Sequence, residues 1–283
     1  MPILKSNIDA SVNFVEQHLT GFIETRYVRR NNDYFIAYLS SQTGCNRGCK
    51  MCHLTATKQT QFNNCDLQDF VNQLESVFAH YDLDIPAKHM HINWMARGEP
   101  LANPTVTETG TELLIRLGQM TREKGLPVKF NISTIMPTTL RKTLVDVFPF
   151  VHPTIYYSIY SVDEKFRKEW LPGAMPVNRA LEILSQYQKI SKKLIKFHGA
   201  FIKDANDREK DIHHMLSVIS RYNIRGEFNI VRYNPFDSSQ GEESPYIQSI
   251  AGMISQSMPC KIIPRVGSDV FASCGTFIGG KDG

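Results

Sequence analysis

The chain has 283 residues, enough for one barrel-type domain or two ordinary ones, and is 42% hydrophobic and 21% charged, which is the composition of a protein that buries a full core. No apolar run approaches the roughly 20 residues of a membrane-spanning helix, and the first ten residues lack the basic segment and apolar stretch of a secretory leader. With 32 basic and 28 acidic residues the net charge is +4, which permits a nucleic-acid partner but equally fits a mixed solvated surface. Six cysteines, three of them tightly clustered, read as metal ligands in a reducing compartment rather than as a disulfide framework, so the expected location is cytoplasmic.

In chain order, segments 14–19 and 22–28 look like a small β-hairpin, and Arg26, Arg29 and Arg30 form a basic knot that reads as part of its solvated surface. Strand patterns follow at 34–40, 89–95, 128–133, 154–158, 194–200, 227–231 and 261–264. Helical periodicity appears at 67–81, 106–124, 139–147, 178–190, 208–222 and 245–258. Strands alternating with helices imply βαβ units and a parallel sheet. This many units predicts an α/β fold, a curved partial (β/α) barrel over 34–283 with a hairpin extension over 1–33. Ligands then belong at the carboxyl ends of the strands, where the βα loops gather. Segment 237–244, rich in Ser, Gly and acidic residues, reads as a surface loop.

The most specific signal follows the first of these strands. Cys45, Cys49 and Cys52 stand at Cys-x3-Cys-x2-Cys on a short loop. Thiolates are soft ligands that suit iron–sulfur clusters or zinc. A [4Fe–4S] cluster usually takes four cysteines, so three leave one iron open to a substrate or cofactor. A structural zinc site needs four closed ligands. His53 is the available fourth, but it adjoins Cys52, and neighbouring residues rarely both turn onto one small ion.

Other features fall at later strand ends. Gly98-Glu99-Pro100 pairs a glycine, which lets backbone pass close to a ligand, with a carboxylate able to hold an ammonium group; a simple turn would look the same. Ser133, Ser158 and Asn234 offer hydroxyls and an amide for a ribose, carboxylate or adenine edge, although such residues also cap helices. Cys274 lies in a Gly-bounded stretch after the last strand. Taken alone it reads as a buried small hydrophobe.

Together these stretches carry a resemblance. Ser40 to Cys45, Gly98-Glu99-Pro100-Leu101, Ser133-Thr134, Arg232-Tyr233-Asn234-Pro235 and Gly267 to Gly275 occur in the order found in the radical S-adenosylmethionine (radical SAM) RNA methyltransferases. That family acts on adenine carbon 2 of ribosomal and transfer RNA, with a related carbon-8 enzyme that confers antibiotic resistance. The resemblance runs from about Phe14 to Gly275. It implies that Cys45, Cys49 and Cys52 bind a [4Fe–4S] cluster. It implies that Gly98, Glu99, Ser133, Ser158, Ile159, Tyr160 and Asn234 bind S-adenosyl-L-methionine, with Tyr160 where the family commonly has histidine. Cys274 aligns with the cysteine that carries the methyl group. Glu24 matches the family's proton acceptor, its alternative being a surface carboxylate of the hairpin. An electron donor such as a flavodoxin or ferredoxin is implied as well. The family's route suits the substrate: adenine carbon 2 has no nucleophilic lone pair, so a methyl is moved first to the cysteine and then delivered as a radical.

The chain departs from the family at two places. The family has a second cysteine, seven residues before the first cluster cysteine, which releases the covalent RNA intermediate by forming a disulfide with the methyl-carrying cysteine. Here that position is Tyr38, and Cys65 and Cys260 are the remaining thiols. Only 44 residues precede Cys45, fewer than the family's N-terminal helical domain needs. These departures keep two alternatives open: a diverged radical SAM enzyme acting on a nucleotide or peptide, and an inactive binding relative.

Overall fold

A computed structural model describes residues 2–279; residue 1 and residues 280–283 of the expected domains lie outside it. Ten strands form one sheet in which each strand neighbours the next in sequence: β1 (Ile3–Lys5), β2 (Val12–His18), β3 (Gly21–Arg29), β4 (Tyr34–Tyr38), β5 (His89–Trp94), β6 (Val128–Thr134), β7 (Thr154–Ser158), β8 (Ile195–Gly199), β9 (Gly226–Val231) and β10 (Cys260–Ile263). Strands β1 to β4 are antiparallel, and β4 to β10 are parallel. Among the described residues β1 and β10 pair with one neighbour each, so the sheet is an open, partial barrel extended at one edge by the hairpin.

The helices are α1 (His53–Ala56), α2 (Leu67–Tyr81), α3 (Pro104–Glu108), α4 (Gly110–Glu123), α5 (Leu144–Val147), α6 (Glu164–Trp170), α7 (Val177–Ser191), α8 (Glu209–Ser220) and α9 (Ile247–Ser255). The helix expected over 106–124 is broken at Thr109, whose φ of −120° and ψ of 25° leave the helical region. Of 139–147 only α5 is helical, started by Thr143 in a reciprocal capping box with Asp146. The short β1, α1 and α6 carry too few residues for a periodic signal.

The parallel strands divide their side chains by parity, since successive residues point to opposite faces. Phe35, Ala37, Met90, Ile92, Ile132, Ile155, Tyr157, Phe197, Phe228 and Ile230 are buried in one core with helix residues such as Leu74, Leu117, Leu184 and Ile250. Each large apolar side chain buried there contributes about 1.5–3 kcal/mol. The opposite set, including Tyr34, Tyr38, His91, Asn93, Ser133, Tyr156, Ser158, Lys196, His198 and Asn229, lines a cavity of about 520 Å³. The barrel interior therefore carries polar side chains beside apolar ones such as Ile36 and Ile263.

The segment after β10 returns to the hairpin and ties the end of the barrel to its beginning. Asn13 Nδ2 donates to the Val270 carbonyl at 3.0 Å, and the Gly267 N–H donates to Asp9 at 2.8 Å. Arg26 donates to the Thr276 carbonyl at 2.7 Å, and the Ile278 N–H donates to Glu24 at 3.0 Å. The basic knot expected on the hairpin surface is thus mostly structural. Arg26 is buried, Arg29 is bonded to Asp84 at 3.1 Å and to the Ile85 carbonyl at 2.7 Å, and Arg30 alone of the three is exposed.

Candidate active site

The loop after β4 carries Cys45, Cys49 and Cys52, and all three line the cavity. The Cys52 N–H donates to the Cys49 carbonyl at 3.0 Å, and Cys52 then caps α1. Backbone N–H groups of Leu54 and Thr55 face the Cys52 thiol, and that of Arg47 faces Cys45. Such N–H contacts to sulfur help set cluster potentials. The loop is buttressed by a part of the chain with no sequence signal: the Lys50 N–H donates to the Trp170 carbonyl at 3.0 Å and its ammonium lies 4.5 Å over the Trp170 ring. Burial pushes the thiols up, Cys45 to about 12 and Cys49 well above its usual range. Free of metal they stay protonated; a cationic cluster is what would make thiolates of them. Among the described residues no three His, Cys, Asp or Glu side chains converge as ligands of a single ion. His53 Nε2 meets the Asn234 carbonyl at 3.1 Å instead.

Beyond β5, Gly98 has φ +88°, and a Cβ there would come within 2.7 Å of Ser41 Oγ and Gln42 Cβ. The close approach expected toward a ligand is thus made by the chain's own cluster-side loop. It sets Glu99 in place: the Glu99 N–H donates to Gln42 at 3.0 Å, while its carboxylate accepts from the Leu101 and Ile135 N–H groups, each at 3.0 Å. Burial nevertheless raises its pKa to about 7, against the lowering effect of the Thr134 hydroxyl and those N–H groups. Among the described residues no basic side chain is bonded to this buried carboxylate on the cavity wall, which fits an incoming ammonium group.

Ser133 and Ser158 face the cavity from the ends of β6 and β7, with His198 of β8 between them. Ile159 sends its side chain into the main core, so its share of the site is limited to backbone. Tyr160 follows in a left-handed conformation, φ 51°, a strained state for a bulky residue that clusters at functional sites. Asn206 Nδ2 holds the Tyr160 carbonyl at 2.9 Å, and buried Arg167 donates to the Ile159 carbonyl at 3.0 Å. The Tyr160 phenol lines the cavity and burial raises its pKa, the Cys274 and Cys49 thiols adding to the effect.

Cys274 is not the buried hydrophobe that its sequence context alone suggests. Its side chain is exposed within the cavity, enclosed by protein enough that burial pushes the thiol up to about 11, with Cys52 adding to the rise. Its carbonyl accepts from Asn234 Nδ2 at 3.0 Å, and the next carbonyl, of Gly275, accepts from the His53 N–H at 3.1 Å. The site thus gathers Cys45, Cys49, Cys52, Gly98, Glu99, Ser133, Ser158, Tyr160, Asn234 and Cys274 on one cavity.

Glu24 lies outside that lining. It is fully buried, not a surface carboxylate, and each oxygen accepts two hydrogen bonds: one from Arg97 at 2.7 Å and Ile278 N–H at 3.0 Å, the other from Asn13 at 2.8 Å and Arg26 at 3.2 Å. Tyr38 does line the cavity, and Cys274 is near enough to act on its phenol electrostatically. Cys65 is buried in the core and Cys260 packs against it at the start of β10; neither lines the cavity. Three residues that no motif marks support the site: Arg97, bonded to Glu24; Gln59, whose carbonyl accepts the Cys45 N–H at 3.0 Å; and Arg167, bonded to the Ile159 carbonyl.

This fold aligns with the crystal structure of a radical SAM methyltransferase from Sphaerobacter thermophilus over 98% of this chain and 80% of that one, with a TM-score of 0.77 and 16% identity. The chain has the fold of that enzyme. Streptococcus suis SuiB bound to S-adenosylmethionine aligns over 85% of this chain and 52% of its own, with a TM-score of 0.57 and 14% identity. By sequence the chain is similar to the dual-specificity RNA methyltransferase RlmN of Wolinella succinogenes, 25% identical over 244 residues covering 84% of this chain. It is also similar to that of Helicobacter hepaticus, 25% identical over 246 residues and 84% of this chain. It spans 65% and 63% of the length of these two relatives. A probable RlmN of Shouchella clausii matches at 22% over 279 residues, 94% of this chain and 75% of its own length. No family model matches the chain. Among the described residues no helix is long and apolar enough to cross a membrane.

Proposed function

We propose that the chain is a radical SAM enzyme that methylates an adenine base in RNA through Cys274. The observation that carries this reading is the meeting of three cluster-type thiols, the Glu99 carboxylate and the Cys274 thiol on one cavity at the carboxyl ends of the strands. The donor set fits the implied groups. Cys45, Cys49 and Cys52 would hold a [4Fe–4S] cluster, Glu99 the methionine ammonium, and Ser133, Ser158 and Asn234 the remaining polar edge of S-adenosylmethionine. Bound there, these cofactors would supply the methyl group and the radical chemistry.

The chain's own residues do the rest. Glu99, ionised, orients the ammonium and so the sulfonium near it. Cys274 must lose its proton to accept a methyl, and the cavity wall holds its backbone through Asn234 and, at the Gly275 carbonyl, the His53 N–H while it does so. Support for RNA comes from the RNA methyltransferases named above and from the lower cavity, where Tyr34, His91 and Tyr156 lie with Arg30; Lys196 and Lys261 lie there too, facing the Glu227 carboxylate. Rings that can stack on a base and a cation, Arg30, that can meet phosphate suit an unpaired nucleotide. An electron donor such as a flavodoxin or ferredoxin, and a cytoplasmic setting, belong to this reading. Tyr38 in place of a second cavity thiol favours a second one, a diverged radical SAM enzyme with a substrate other than RNA.

The test is anaerobic reconstitution followed by mass spectrometry of the protein and of RNA from expressing cells. About four irons and four sulfides per chain are expected, with loss of S-adenosylmethionine cleavage in Cys45→Ala, Cys49→Ala and Cys52→Ala. Cys274→Ala should keep the iron and the cleavage and lose the methyl on protein and adenine alike. Stoichiometric zinc without iron in protein prepared anaerobically from iron-replete cells would overturn the radical SAM reading, and iron lost in Cys274→Ala would make that thiol a fourth ligand.

A further inference from the structure

Three adjacent strands meet at one imidazole. His198 Nε2 lies 2.7 Å from Ser158 Oγ and 3.2 Å from Ser133 Oγ. His198 and Ser158 are 8% and 7% exposed, and all three residues border the cavity. The backbone adds to this grip, because the His198 carbonyl accepts the Ile159 N–H at 3.0 Å. The next residue is Gly199, where a Cβ would come within 3.0 Å of Tyr160 Cα, so β8 lies hard against the 158–160 turn.

Burial lowers the pKa of His198 to about 4, which leaves the ring neutral near pH 7. A neutral imidazole nitrogen is either a donor or an acceptor. If Nε2 bears the lone pair, Ser158 donates to it and turns oxygen lone pairs toward the cavity. If Nε2 bears the hydrogen, Ser158 accepts and its own hydrogen is free for a ligand. In either state the ring decides which way the Ser158 hydroxyl faces and restrains that of Ser133. Among the described residues no other side chain hydrogen-bonds to either hydroxyl on the cavity wall.

We infer that His198 is a positioning residue for S-adenosylmethionine, fixing the hydrogen-bonding direction of Ser133 and Ser158 from beneath; this rests on the function proposed above. The imidazole does not act on the reacting atoms. It spares the two hydroxyls the freedom they would otherwise lose on binding, which is how a preorganised site gains affinity.

Equilibrium dialysis of the reconstituted, unreduced enzyme against S-adenosylmethionine reads this without turnover. His198→Leu should weaken binding about tenfold, the scale of one or two lost hydrogen bonds. His198→Gln, whose amide reaches the same place and can accept or donate, should stay within about threefold of wild type by the same reasoning. Ser158→Ala should weaken binding in the wild type and add little in His198→Leu, since the two share one interaction. Iron content should be unchanged throughout, and in turnover KM for S-adenosylmethionine should rise while kcat holds. His198→Leu binding as tightly as wild type, or His198→Gln binding as weakly as His198→Leu with Ser158→Ala fully additive, overturns the inference. If His198→Leu does not fold, Ser158→Ala decides, and wild-type affinity there overturns it. Wild-type enzyme that holds iron yet does not bind S-adenosylmethionine overturns the proposed function and this inference together; binding in wild type matched by every variant overturns the inference alone.

Discussion

Glu99 shows how burial and function conflict at a single residue. The carboxylate keeps three polar partners, yet removal from water outweighs them and its pKa stands at about 7. A raised pKa means that the folded chain binds this proton more tightly than the unfolded one. Stability from this group is therefore full below about 4.5 and is lost as pH rises through about 7. In iron-free protein the loss is roughly 3 kcal/mol between those limits. Glu99→Gln should flatten the pH dependence of unfolding across that window and be the more stable protein at pH 8, which denaturant titrations at several pH values would check. The same variant should bind S-adenosylmethionine poorly at every pH, because it lacks the charge for the ammonium. A wild-type stability curve parallel to that of Glu99→Gln would show that the carboxylate is already ionised without ligand. The pair Gly98-Glu99 was legible as a site in sequence, but the use of Gly98 was not. Its neighbours, Ser41 and Gln42, lie more than fifty positions away, and only the folded sheet brings them together.

Among the elements, the strands were the most legible and the segments between them the least. Parity along β4 to β10 separates cavity from core, and alternation survives in the sequence because the cavity face carries polar residues among its apolar ones. Helices α2, α7 and α8 keep an apolar stripe and were placed nearly to the residue, whereas 106–124 hides a break at Thr109 that periodicity cannot register. The return of the segment after β10 onto β3 was invisible for a different reason. It depends on Glu24 and Arg97, 73 residues apart, and on Arg26 and Thr276, 250 apart. Buried ion pairs of this kind are costly to break from one side, about 3–5 kcal/mol, because the partner is left charged and unpaired. Glu24→Gln keeps the shape and removes the charge, so it should lower the unfolding free energy by a large part of that amount and loosen the loop that carries Cys274. Mass spectrometry should then find Cys274 alkylated faster than in wild type, both without iron. If stability and alkylation match wild type while methyl transfer fails, Glu24 acts on a proton and not on the loop.

At the scale of the whole molecule, the cavity joins Tyr38, from the first parallel strand, to Cys274, from the segment that follows the last. A phenol cannot form the disulfide by which a second thiol would free Cys274 from a substrate. Cys65 and Cys260, the other thiols outside the cluster loop, lie away from the cavity. If Cys274 delivers its carbon to an RNA base, the carbon–sulfur link should therefore persist and the enzyme should stall after one turnover. Denaturing gels of protein from expressing cells should show a slower, RNase-sensitive species that is absent in Cys274→Ala. Tyr38→Cys should diminish that species and raise free methylated RNA, since exchange between thiols needs access at close range, Cα atoms within about 7 Å. The Tyr38 phenol is half-buried in the cavity wall and desolvation raises its pKa, so its replacement also opens space near Cys274. Tyr38→Ala supplies the control: it opens the same space without a thiol and should leave the adduct in place. Adduct lost equally in Tyr38→Ala and Tyr38→Cys would assign the effect to space, and many turnovers by wild type with no adduct would mean that a group other than a cavity cysteine releases the product.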